Sequence, residues 1–162
     1  KKSIFWELPY WENHLLRHNL DFMHIEKNFF DNLTNTLLNA PGKTKDNVKS
    51  RLDLPGLCNK RRDLEMKEDG TMSVPIFRLS NAAKREFLMS MKNDIKFPDG
   101  YSSKFSRCID ESNLKLHGLK SHDCHVIMQR LYPFAFAELL PKNVHTAIRG
   151  IYFLCYLNNY YH

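Results

Sequence analysis

Apolar residues recur every three to four positions between about Asn19 and Asn39. At about 100° per residue, Phe22, Ile25, Phe29, Leu33 and Leu37 fall on one side, and Asp21, His24, Asn28, Asp31, Asn32 and Asn35 on the other. The pattern predicts an amphipathic helix with a wide apolar stripe, ended by Pro41-Gly42. Short helices are expected near 45–53 and 56–66, with weaker patterning. Val74 to Leu79 reads as a short edge strand, because Pro75 cannot donate to a central ladder. Ser80 is placed to cap a helix over 81–93, where Ala83, Phe87 and Met91 recur every four residues. From Leu119 the spacing turns helical again through Val126, Ile127 and Leu131, with Ser121 as cap and Asp123 in the first turn. Pro141 suits another helix start, and the apolar stretch Ile148 to Leu157 follows. The fold class is mainly α, with one minor strand at most.

Composition narrows the classes. The 162 residues, 43% hydrophobic, fit one domain or slightly more with a packed core and exclude a wholly disordered chain. No apolar run approaches the ~18 residues needed to span a bilayer. The N-terminus offers no signal-peptide pattern and no initiator Met, which suggests a piece of something longer. The four Cys form no CxxC pair, so reduced intracellular thiols are expected rather than a disulfide framework. A net charge of +6 permits nucleic-acid binding and equally serves solubility.

Three regions, 14–26, 122–125 and 43–62, offer chemistry. His14, His18, Asp21 and His24 share part of one helical face and are metal-ligand types, or a solvated polar face near a helix start. Glu26 lies among Phe22, Phe29, Phe30 and Leu33. A carboxylate there is expensive unless paired, coordinated or protonated; otherwise it reaches solvent at the stripe's edge or pairs with a nearby Lys or Arg. His122, Cys124 and His125 are zinc-ligand types without a fourth partner, and equally the first turn of a helix. The basic stretch Lys43, Lys45, Lys49, Arg51, Lys60, Arg61 and Arg62 suits DNA phosphates or a solvated surface, with too few aromatics for base stacking.

The strings Ser3-Ile-Phe-Trp-Glu-Leu-Pro-Tyr-Trp11, Leu16 to Asn28 with its His24-Ile25-Glu26-Lys27-Asn28, and Leu37 to Asp46 resemble plant CACTA (En/Spm-type) transposases. Pro98 to Ser103 and Leu116 to Gln129 resemble the same family, where the transposase core passes into a transposon-associated domain of unknown function. The resemblance covers about residues 1–150. It implies the truncated end of a ribonuclease-H-like core over 1–42, an irregular basic connector with short helices over 43–112, and the start of a helical transposon-associated domain over 113–162. It implies a parent activity of DNA cleavage and strand transfer at two divalent ions, Mg2+ or Mn2+, held by converging carboxylates, in the nucleus.

In that frame Glu26 is the inherited catalytic acid and Asp21 the alternative donor, with His24 and Asn28 supporting from the neighbouring face. The earlier acids of the family lie upstream of these strings, and the text drifts from the family pattern after Arg149. The expectation is therefore a fragment or relic: catalytically incomplete, without a bound cofactor, with DNA as partner. A non-catalytic DNA- or protein-binding module is the alternative. Loss of the sheet that would cover the stripe of the first helix further implies weak packing there and self-association through its exposed apolar face.

Overall fold

Each helix follows from local chemistry. The structure, a computed structural model, describes residues 7–9, 11, 13, 22–57, 64, 66–98, 100–101 and 104–150. Helix α1 spans Phe22–Leu37, α2 Val48–Leu57 and α3 Asn81–Asn93. A 3-10 turn at Phe105–Arg107 leads into an antiparallel hairpin, β1 (Ile109–Asp110) on β2 (Lys115–Leu116), with Ile109 opposite Leu116. Helix α4 (Ser121–Val126) passes through a π-helical turn at Ile127–Leu131 into α5 (Tyr132–Ala135). Residues 142–150 are helical again (α6). The described chain is mainly α, in agreement with the sequence pattern, and none of its helices is long and apolar enough to cross a membrane.

The Ser80 cap forms as expected: its Oγ accepts the Ala83 N–H at 3.2 Å. That satisfies one of the orphan donors at the start of α3, which then buries Phe87, Leu88 and Met91. Helix α4 begins one residue earlier than expected. Lys120 is its cap, and the buried Asp123 carboxylate accepts the Lys120 N–H at 2.9 Å. The π turn has a cause in Pro133. A proline has no N–H, and its ring crowds the carbonyl four residues back. The backbone widens there, and Tyr132 N–H donates to Ile127 O, five residues away.

Val74 to Leu79 forms no strand. Val74 is 73% exposed, and the nearby pairing is an isolated bridge between Met66 and Met72. The paired strands lie instead at 109–116. There the Asp110 carboxylate closes the turn by accepting from Ser112 Oγ (2.6 Å), Asn113 N–H (3.0 Å) and Asn113 Nδ2 (2.8 Å). These bonds hold the Asp110 carboxyl well below the usual carboxylate range.

Helix α1 is amphipathic, but its buried line is rotated from the expected one. Glu26, Phe30, Thr34 and Leu37 are buried, whereas Ile25 is 41% exposed and Phe29 and Leu33 only flank the core. The reason is the partner it meets. Phe30 stacks on Tyr132 with ring centroids 5.6 Å apart, and Thr34 Oγ1 shares a hydrogen bond with Tyr132 Oη. The cover expected to be missing from α1 is thus supplied by α4 and α5. Tyr132 also meets Phe136 at 5.0 Å and Phe87 at 6.4 Å, which ties α3 into the same core. At its end α1 is held by Leu79, whose N–H donates to the otherwise orphaned Leu37 carbonyl at 3.0 Å. Residues from all three stretches of the sequence contribute to this core.

Candidate functional site: an acid–histidine pair and a polar cleft

Glu26 is 2% exposed. Its Oε2 is hydrogen-bonded to His125 Nδ1, which joins α1 to α4. The other carboxyl oxygen, Oε1, is buried and has no hydrogen-bond partner among the described residues. The acid thus belongs to a cross-helix pair, and its partner is a histidine rather than a Lys or Arg. Thr34–Tyr132 forms a second polar rung. Both rungs ascend in sequence (26 to 125, 34 to 132), so α1 and α4–α5 run side by side in the same direction.

Glu26 and His125 alone do not make a two-ion Mg2+ or Mn2+ centre. A divalent pair needs several oxygen donors converging on ions about 3.5–4 Å apart. Glu26 gives one oxygen to an imidazole, and the described residues contain no group of three His, Cys, Asp or Glu placed to hold a metal. Asp21, His14 and His18 lie outside the described residues; His24 is exposed on the first turn of α1.

The candidate zinc ligands are engaged separately, His122 with Tyr101, His125 with Glu26 and Cys124 in the core. The His122 and His125 rings are near-parallel with centroids 6.3 Å apart, and His122 Nε2 is bonded to the Tyr101 carbonyl at 2.9 Å. Cys124 is 0% exposed, inside the core. Burial pushes its thiol up to about 12. Since only the thiolate attacks, iodoacetamide at pH 8.5 should leave Cys124 unlabelled until denaturant is added; labelling of the folded protein, read by peptide mass spectrometry, would contradict its burial. The linkage has a definite sign. An acid whose value is raised by folding stabilises fully below its unfolded value of 9.0 and loses that contribution as pH climbs towards 12.

The basic residues divide. Lys43, Lys45 and Lys49 are exposed, while Lys60, Arg61 and Arg62 lie outside the described residues. Arg51 departs from its expected role. Its side chain is 1% exposed and gripped by Asp46, Nε to Oδ1 at 2.6 Å and Nη2 to Oδ2 at 2.8 Å. Nη1 and Nη2 also donate to Ser73 Oγ (3.1 Å) and the Ser73 carbonyl (2.8 Å). A buried bidentate fork fixes a loop and does not face a ligand. The Asp46 pairing also explains why α2 can bury an arginine; Val48, Leu52 and Leu57 of the same helix are exposed.

Lys43 and Lys45 line a cleft of about 880 Å³. Its walls come from the outer face of α1 (Lys27, Asn28, Asp31, Asn32, Asn35), from the turn after α1 (Gly42 to Lys45, and Asn47) and from Leu116 to Leu119 at the end of β2. Gly42, at φ +71, supplies the left-handed turn that brings Lys43 and Lys45 back beside α1. Lys27 donates to Asp31 at 3.0 Å, and this bond raises its pKa. With that pair neutral, two lysines remain as a local positive excess.

The signal for this cleft was present in the sequence as Asn28, Asn32 and Asn35, spaced i, i+4, i+7 along the polar face; Asn28 was assigned to support the acid, and the uncharged amides of Asn32 and Asn35 read as ordinary solvated surface. The sequence matches no protein-family model, no curated protein and no solved structure.

Proposed function

We propose that this chain is a segment of a CACTA-type DNA transposase that engages DNA, in the nucleus, without cutting it. The observation that carries the reading is the cleft in which Lys43 and Lys45 stand exposed beside an amide-rich helix face. Lysines without a carboxylate partner among the described residues suit phosphates, and neighbouring amides suit polar base atoms. The family resemblance supports DNA as the polymer. The engagement of Glu26 by His125 favours binding over the parent's metal-dependent cleavage and strand transfer.

A salt titration of binding, with the same mixed-sequence DNA as a strand and as a duplex, tests the proposal. Affinity should fall steeply with salt. Lys43→Gln/Lys45→Gln should flatten the log–log slope by roughly 1.4–1.8, the sum of two lost phosphate contacts. No binding to either form at low salt would remove the reading. So would Mg2+-dependent nicking of plasmid DNA that disappears in Glu26→Ala.

A further inference from the structure

The substrate class of the cleft can be narrowed. Resting on the DNA reading above, we infer that the cleft takes a single strand, with its phosphates on Lys43 and Lys45 and its unpaired base edges on Asn28, Asn32 and Asn35. The argument begins with shape. A helix with its side chains is about 10–12 Å across and by itself fills a major groove about 12 Å wide. Here α1 reads outward from a concavity that two other segments, 42–47 and 116–119, also line. A duplex groove has no room for all three. A single strand enters the concavity, so the polymer comes to the helix rather than the helix to the polymer.

The chemistry of the lining agrees. Asn28 and Asn32 are exposed, and their amides engage no described partner, so each offers two donors and an acceptor. Asn35 Nδ2 already donates to the Asp31 carbonyl at 2.6 Å, which orients its Oδ1 as an acceptor. Three amides on one helix stripe, about one turn apart, match successive base edges. Stacking on a large ring is not the mode. Phe30, the one Phe, Tyr or Trp among the described lining residues, is 2% exposed and occupied by Tyr132, and the exposed His117 imidazole is the ring left on the wall. Recognition therefore runs through hydrogen bonds, and those on the pairing edges are the bonds a complementary strand takes away.

The test compares one dye-labelled DNA oligonucleotide alone, annealed to its complement, and as the RNA of the same sequence, by fluorescence anisotropy on the full chain. The single DNA strand should bind at least tenfold more tightly than the duplex. Asn28→Ala/Asn32→Ala should weaken it by roughly tenfold or more and leave the salt slope unchanged, whereas the lysine pair alters the slope. Both alanines lie on an exposed helix face and favour helix, so an unchanged thermal melt certifies the fold. A duplex bound as tightly as the strand, an unaffected asparagine variant, or RNA preferred to DNA overturns this inference while leaving DNA or polynucleotide binding intact. Absence of binding to every form removes the DNA reading itself.

Discussion

His125→Ala is expected to destabilise the protein by about 3–5 kcal/mol, seen as a lower urea midpoint with an unchanged m-value. The His125 side chain is only 19% exposed, so truncation leaves a gap beside Glu26, which at 2% stays where it is. Its Oε1 already lacks a partner among the described residues, and Oε2 would lose its own. A buried polar group left without partners costs far more than the pair was worth. The double variant Glu26→Leu/His125→Leu removes both groups and should therefore be close to neutral, or more stable than the parent by about 1–4 kcal/mol. Non-additivity of this size is the signature of direct coupling. A His125→Ala cost below about 1 kcal/mol would mean that water reaches Glu26 and that the pair does not hold α1 to α4.

Asp46→Ala sets charge against structure. It removes a negative residue from the loop that carries Lys43 and Lys45, so electrostatics alone predicts tighter DNA binding. The geometry predicts the opposite. Asp46 is the two-pronged partner of a guanidinium that is 1% exposed, and Arg51 in turn ties the loop to Ser73. Without it the arginine is a buried, half-compensated charge, at a cost of about 3–5 kcal/mol, and the turn beside α1 loses its anchor. Affinity for DNA should drop several-fold at temperatures where the variant is still folded by circular dichroism. Tighter binding in a stable variant would show that the lysines act as untethered surface charge.

The sequence carried most of the local structure and little of the pairing. Helix α3 and its Ser80 cap were legible because both signals lie within one turn of chain. Helix α1 was legible as a helix, yet its buried line was not. Spacing places Ile25 on the stripe, whereas the packed line passes through Glu26 and Thr34. Hydrophobicity ranks these two as polar. Only the partners 99 and 98 residues away, His125 and Tyr132, make their burial affordable. Arg51 illustrates the same limit. In a basic stretch it looks like its neighbours, and only the bidentate bond to Asp46 separates an internal cation from a surface one. The hairpin at 109–116 was missed because its determinant is a side-chain network around Asp110 and not an alternating apolar run.

The π turn between His125 and Tyr132 sets a phase. Both rungs must meet a single straight helix, α1, at once, and the widened turn is the vernier that aligns them. Deleting one residue from 127–131 would twist everything downstream by about 100° and draw it back by about 1.5 Å, so one rung could be kept only by giving up the other. Point changes in that stretch are felt by their neighbours, whereas a lost codon would be felt by everything from Tyr132 to Gly150.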